Sequence, residues 1–263
     1  MIQYHVYPGG KKRIVTFSYD DGSENDRRLI ELFAKYGVKA AFHLNSDRVK
    51  DRDPEQLRKL YAGHEVSCHT VHHGWLERMP MQSAVQEIIE DRKALEAIFG
   101  VPMVSMSYPS GVYKGDSAAE AARACGMVYG RTICATGNFY LPDNFLLWHP
   151  TCHHKDALPL CEQFIKNLDS QWVNPLFYIW GHSHDLKTEE QWADMEKLLQ
   201  MLSGNDKIWY ATGMEIYNYI TAQQRLQISA DERTFYNPSA IPVWVERNKT
   251  EILEIPAGQT VTL

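Results

Sequence analysis

The sequence predicts an α/β protein whose strands form a parallel sheet, closed as a (β/α) barrel in preference to an open, doubly wound sheet. Two observations predict it. From residue 13 to about residue 226, apolar strand-like runs alternate with stretches of helical periodicity, the signature of serial β-α units. The residues able to do chemistry then fall just after strands: Asp20 and Asp21, His69 and His73, Pro109, His182. A barrel gathers such groups at the C-terminal ends of successive strands, whereas an open sheet spreads them along a crevice.

Each element has a local reason. Arg13–Ser18 is a β-branched and aromatic run, read as a buried strand. Ser23 to Asp26 form a capping box for a helix with Leu29, Ile30, Leu32 and Phe33 on its apolar face, and Gly37 ends it. Val38–Leu44 is the second strand. Asp53 and Pro54 open a helix that Gly63 stops, and Glu65–Cys68 follows as a short strand. A long helix over 82–99 carries Val85, Ile88, Ile89, Leu95, Ile98 and Phe99 at helical spacing. Strands are expected at Met103–Met106, Met127–Ile133, Leu176–Trp180 and Ile208–Ala211. Helices are expected at 116–125, near 157–169, after the Thr188/Gln191 cap, and at 214–226, with 134–156 irregular. After residue 228 the pattern becomes short strands at Thr234–Tyr236, Ile241–Glu246, Ile252–Ile255 and Thr260–Leu263, separated by turn residues. The expected organisation is a barrel domain over 1–227 and a small C-terminal β segment over 228–263, whose exposed edge could pair with a second copy as a homo-oligomer.

Composition limits the function classes. A formal charge of −6 argues against a nucleic-acid or anionic-membrane partner. Five cysteines without a pairing pattern fit a reducing compartment. The start of the chain lacks a basic and apolar leader pattern, and no apolar run reaches membrane-spanning length, so the expected location is cytoplasmic.

Two segments carry the chemistry. Ser18-Tyr19-Asp20-Asp21-Gly22 ends a strand with adjacent carboxylates, and His69-Thr70-Val71-His72-His73 places imidazoles three and four residues apart. A carboxylate with two imidazoles suits a borderline divalent metal such as zinc, and either His73 or His72 could partner His69. A second carboxylate beside the ligand could act as a general base. His182, directly after the apolar run Phe177–Trp180, is a candidate for proton transfer. Trp148, His149, His153 and His154 lie in the irregular stretch, where rings could line a sugar site or plug the core.

With these residues in place, the chain resembles the polysaccharide deacetylase family (carbohydrate esterase family 4, the NodB homology domain) over roughly residues 13–225. Thr16 to Gly22 looks like the family's T-F-D-D-G motif, with Ser18 and Tyr19 interposed. Gly63 to His73 (GHEVSCHTVHH) looks like its H-[ST]-x-x-H motif. Tyr108-Pro109 sits where R-x-P-Y is expected, and Ile179 to His182 resembles the late L-x-x-H motif. The resemblance implies a distorted (β/α) barrel of about seven strands and hydrolysis of N-acetyl groups on a saccharide by attack of metal-bound water. It carries Asp20 over as general base, Asp21, His69 and His73 as ligands of one divalent metal, most simply zinc, and His182 as general acid. The backbone N–H of Ser110 takes the oxyanion-donor position. Tyr108, Pro109, Arg131, Trp148 and His184 are the expected substrate contacts. Ser107 stands where the family has an arginine that orients the base, and Arg131, on the next strand, is expected to substitute for it. Ser110 replaces a tyrosine, and only Asp143 and Trp148 stand for the acid-and-tryptophan motif. The alternatives are a small-amide or cyclic-amide hydrolase on the same barrel and a non-catalytic carbohydrate-binding relative.

Overall fold

The structure is a computed structural model that describes residues 1–112, 116–170 and 174–263. Its elements, in chain order, are β1 (Ile2–Gln3), β2 (Arg13–Asp20), α1 (Asp26–Lys35), β3 (Ala40–Leu44), α2 (Ser46–Val49), α3 (Pro54–Leu60), β4 (Glu65–Cys68), α4 (Met81–Phe99), β5 (Ser105–Ser107) and α5 (Ser117–Ala124). They continue with β6 (Tyr129–Arg131), β7 (Cys152–His153), α6 (Ala157–Lys166), β8 (Leu176–His182), α7 (Glu189–Leu202), β9 (Ile208–Tyr210) and α8 (Gly213–Gln224). The last are β10 (Gln227–Ile228), β11 (Thr234–Tyr236), β12 (Val243–Arg247), β13 (Glu251–Ile255) and β14 (Thr260–Thr262).

The main sheet is parallel throughout and runs β6-β5-β4-β3-β2-β8-β7, with β9 also paired to the start of β2. It curls into a distorted (β/α) barrel. The stretch expected to be irregular supplies part of the closure. Trp148 N–H donates to Gly130 O at 2.9 Å and Thr132 N–H to Trp148 O at 2.9 Å, so residue 148 bridges to β6. Three residues later Thr151 N–H donates to Tyr178 O at 2.8 Å, and β7 pairs with β8. The segment 148–153 therefore spans the gap between the two sheet edges.

The apolar core lies mainly between sheet and helices. Phe17, Tyr19, Phe42, Leu44, Met106, Phe177 and Ile179 pack against Leu29, Phe33, Ile88, Leu95, Phe164 and Leu199. The alternate strand residues face inward: Ile14, Leu176 and Tyr178 pack with Tyr129 and Trp148, and beside them stand polar groups in place of the branched aliphatics that usually fill barrels. Glu65 accepts from Ser105 Oγ at 2.8 Å, Tyr129 OH at 2.6 Å and the Met214 N–H of the α8 first turn at 2.8 Å. Ser67 and Ser105 share a bond at 2.9 Å, and the His43 ring meets the Tyr129 ring edge-on. A buried polar column thus runs up to the open end of the barrel.

Two small antiparallel sheets complete the fold: β1-β12-β13 and β10-β11-β14. Their own cluster includes Phe235, Val243, Val245 and Ile255. Tyr219 and Gln223 of α8 bond to Val6 O and Trp244 O, which ties this region to the barrel. No described helix is long and apolar enough to cross a membrane.

Candidate active site

Seven parallel strand ends converge on one face, and the polypeptide leaves several of them in left-handed backbone. Asp21 (φ 83°), Thr70 (φ 63°), His73 (φ 57°) and Ser110 (φ 58°) are four of seven described non-glycine residues with positive φ. Such conformations cost about 1–3 kcal/mol each and concentrate at functional sites. Each turns the chain sharply after its strand; Asp21 and His73 thereby bring their side chains to one centre, while Thr70 Oγ1 accepts from Gly74 N–H at 3.3 Å and braces the turn.

Asp21, His69 and His73 present one ligand atom each within 4.8 Å of one another. Asp21 Oδ1 lies 3.8 Å from His69 Nε2 and 3.7 Å from His73 Nε2. Asp21 Oδ1 and His69 Nε2 are buried and have no hydrogen-bond partner, although Arg48 Nη1 stands 3.1 Å from Asp21 Oδ1 as an ion pair. Buried polar atoms left unpaired are costly, and a divalent cation would satisfy both at once. The residues fit a metal of the zinc type: one carboxylate and two imidazoles, with room for an open position. Outer contacts fix the first imidazole. His69 Nδ1 faces Ser107 O at 2.9 Å and Ser107 Oγ at 2.7 Å, which leaves Nε2 for the ligand role. Asp91 accepts from His69 N–H at 2.9 Å and Ser46 N–H at 2.7 Å, while Asn45 donates to His69 O and Thr70 O. Burial pushes His69 down to about 4, so it is neutral and ligand-competent at pH 7, and burial pushes Asp91 up to about 6.

Asp20 sits beside this trio, its Oδ2 3.7 Å from His69 Nε2. Ser107 Oγ donates to Asp20 Oδ1 at 2.9 Å, and the fully buried Arg131 Nη2 donates to Oδ2. Burial pushes the carboxyl up, but Arg131, with His69, His43 and His182, outweighs it and holds Asp20 well below the usual carboxylate range. Arg131 is itself sandwiched, its guanidinium carbon 4.5 Å from the Trp180 ring centre.

On the neighbouring strand and in register with Asp20, His182 ends β8 with Nδ1 3.1 Å from Asp185 Oδ2. Asp26 accepts from Ser183 Oγ at 2.6 Å and Tyr61 OH at 2.7 Å, pinning the loop between them. Burial pushes Asp26 up to about 7. His184, 45% exposed, has Nδ1 3.9 Å from Asp21 Oδ2.

Residues 8–130 match the family profile described as Polysaccharide deacetylase. The similarity to the polysaccharide deacetylase family is carried by that segment, just under half of the chain. Among curated relatives, a peptidoglycan-N-acetylglucosamine deacetylase of Bacillus cereus is 25% identical over 118 residues, 44% of this chain and 54% of that protein. The chain spans about half the length of the curated relatives it matches. Two solved structures share the fold. A PuuE allantoinase superposes with a TM-score of 0.66 at 11% identity, covering 82% of this chain and 92% of that one. The BA3943 protein of Bacillus anthracis, a carbohydrate esterase 4 pseudoenzyme, superposes with 0.54 at 18% identity, covering 80% and 66%.

Within this polysaccharide deacetylase fold, the expected site residues separate into two groups. Asp20, Asp21, His69, His73, His182, His184 and the rim residue Ser110 lie at the open barrel face. The expected pairing of Arg131 with Asp20 is present. Tyr108, Pro109, Arg131 and Trp148 differ from the expectation of substrate contact, because all four are buried. Tyr108 OH donates to Leu146 O at 2.7 Å and its ring fills the space above Gly130. Trp148 packs edge-on against Tyr129, Phe145 and Tyr178. His72, the rival to His73, points outward to Glu87 at 2.7 Å. The carboxylate beside His182 is Asp185. Sequence reasoning missed Asp26, His43, Asn45, Arg48 and Asp91. Asp91 had a readable signal: it shares the buried α4 face of Ala84, Ile88 and Leu95, where a lone acid requires partners.

Proposed function

We propose that this chain is a metal-dependent hydrolase that removes acetyl from an N-acetylated saccharide, with the barrel over 1–227 as the catalytic domain. The observation that carries this reading is a buried carboxylate, Asp20, clamped by Arg131 and Ser107 at the edge of the Asp21–His69–His73 donor set. A site that only bound sugar would need neither an ionised buried base nor an imidazole facing it.

Asp21, His69 and His73 would hold the metal, most simply zinc, which would polarise the amide carbonyl and acidify water. Asp20 takes the proton of the attacking water as its oxygen bonds to the acetyl carbon. Arg131 and Ser107 keep Asp20 ionised and fixed in rotamer, so no reorganisation accompanies proton transfer. The Ser110 N–H, at the left-handed turn after β5, is the oxyanion donor. His182, in its doubly protonated form, delivers the Nε2 proton to the nitrogen as the C–N bond breaks, releasing acetate and a neutral amine. Asp185 accepts the Nδ1–H throughout, so the ring is left neutral and correctly oriented.

The test is acetate release from a panel of N-acetylated mono- and oligosaccharides, with linear and cyclic amides alongside, by zinc-loaded and chelator-treated protein. Acetate from saccharides that depends on metal supports the reading. Hydrolysis confined to the other amides, or metal binding without any hydrolysis, rejects it.

A further inference from the structure

Asp185 is held from two sides. Besides His182, its Oδ2 lies 3.4 Å from His153 Nε2, and its Oδ1 lies 3.8 Å from His184 Nε2. His153 has no part in the chemistry above, yet its geometry is fixed. It is the N-cap of the short helical turn 154–156, its Nδ1 accepting from Lys155 N–H at 3.4 Å. Its ring stands edge-on to Trp180, centroids 5.0 Å apart, one strand over on β7. Burial pushes His153 down, which keeps it neutral with a single N–H. Since Nδ1 is the acceptor, that hydrogen is on Nε2, facing Asp185.

We infer that His153 is a positioning residue that holds Asp185 in the rotamer that aims His182 at the leaving nitrogen. Asp185 is 37% exposed at its side chain and sits in a short turn, so one bond from His182 leaves it free to swing into solvent. The His153 ring nitrogen, 3.4 Å from the same oxygen and carried on a strand of the barrel wall, is the second contact that restrains it. Trp180 completes the arrangement: its ring contacts His153, His182 and the Arg131 guanidinium, so acid and base sides share one rigid wall. Polar partners that fix metal-ligating residues are worth about 10–100-fold in activity, and the same order is the expectation for His153, which acts on His182 through Asp185.

The inference rests on His182 as the general acid, and the experiment separates the two. The zinc-loaded protein and its His153→Leu, His153→Gln and His182→Ala variants are assayed on an N-acetyl sugar amide and on an activated acetate ester, whose leaving group needs no proton. His153→Leu is expected to lose about 10–100-fold in kcat on the amide with little change on the ester or in KM. His153→Gln, which retains an N–H at that reach, is expected to recover most of it. Equal loss on both substrates, or no recovery in a folded His153→Gln, overturns the positioning role. Should His153→Leu fail to fold, His153→Asn, polar but too short to reach, takes its place with the same expectations. A second equivalent of bound zinc in the wild type that disappears in His153→Leu also overturns it, because His153 would then be a ligand. If His182→Ala shows no selectivity for the amide, the general-acid reading itself falls, whatever His153 does.

Discussion

Replacing Arg131 with methionine tests the electrostatic core of the site. The guanidinium is fully buried, and Asp20 has 3% of its side chain exposed, so the carboxylate has almost no water to fall back on. Breaking a buried pair by removing one partner costs about 3–5 kcal/mol. At about 2–4 °C per kcal/mol for a chain of this size, the expected fall in Tm is about 6–20 °C. Methionine fills much of the vacated space, so the loss reports charge more than cavity. The pH dependence has a definite sign. Asp20 in the folded protein lies below its ordinary 3.8, so the stability it contributes is fully present above 3.8 and is lost as pH falls through the folded value. The gap between wild type and Arg131→Met should therefore be full well above the variant's raised Asp20 value, begin to narrow as pH falls through that value, and go on narrowing below pH 3.8. Without the arginine, burial dominates, and the acidic limb of kcat/KM should move up in pH. Stability is read by thermal unfolding of chelator-treated protein, and the limb by acetate release on loaded protein. A Tm change of less than about 2 °C together with an unmoved limb would refute the reasoning, since it would mean that Asp20 does not depend on Arg131.

Other expectations follow from single residues. His69→Ala should fold and yet hold little metal by elemental analysis, since it deletes a buried donor fixed by Ser107; full occupancy rejects the ligand assignment. Asp20→Asn should keep most of the metal and lose about 10²–10⁴-fold in turnover, and near-normal acetate release excludes the base role. Asp26, raised to about 7, contributes stability that is full below 3.8 and lost as pH rises through about 7. Unfolding curves should therefore show wild type losing ground to Asp26→Asn between those values, and parallel pH profiles would contradict it. Gly181→Ala would put a Cβ 2.3 Å from His154 Nδ1, so it should destabilise by about 1–3 kcal/mol in denaturant titration; a neutral result would mean His154 moves freely.

The sheet was legible because its strands carry unbroken apolar or β-branched runs. Glu65–Cys68 and the α4 helix over Met81–Phe99 fall where the pattern places them. β5 is three residues long and lies later than the expected Met103–Met106, at Ser105–Ser107, and β6 is cut to Tyr129–Arg131 from the expected Met127–Ile133. β7 carries no strand signal at all: two residues preceded by Pro150 pair only because β8 lies alongside. The motif residues Asp20, Asp21, His69, His73 and His182 were legible from local spacing. The partners that hold them were not. Asp91 comes from α4 and Asp26 from α1, distances along the chain that no local pattern encodes. Trp148 shows the opposite error, since an aromatic beside a histidine in a loop reads as a sugar platform and is in fact a plug.

The six residues from Trp148 to His153 connect the wall behind Arg131 to the wall behind His182. They are anchored by backbone bonds at both ends. Most loops on such a barrel tolerate added length, because their ends are held elsewhere and the extra chain bulges into solvent. This one acts as a ruler. A single residue inserted between His149 and Thr151 would slide His153 out of register with Trp180 while leaving Arg131 in place. The segment thereby sets where the wall carrying Arg131 meets the wall carrying His153, while the spacing of Asp20 from His182 belongs to the β2–β8 pairing, in which the two residues are register partners.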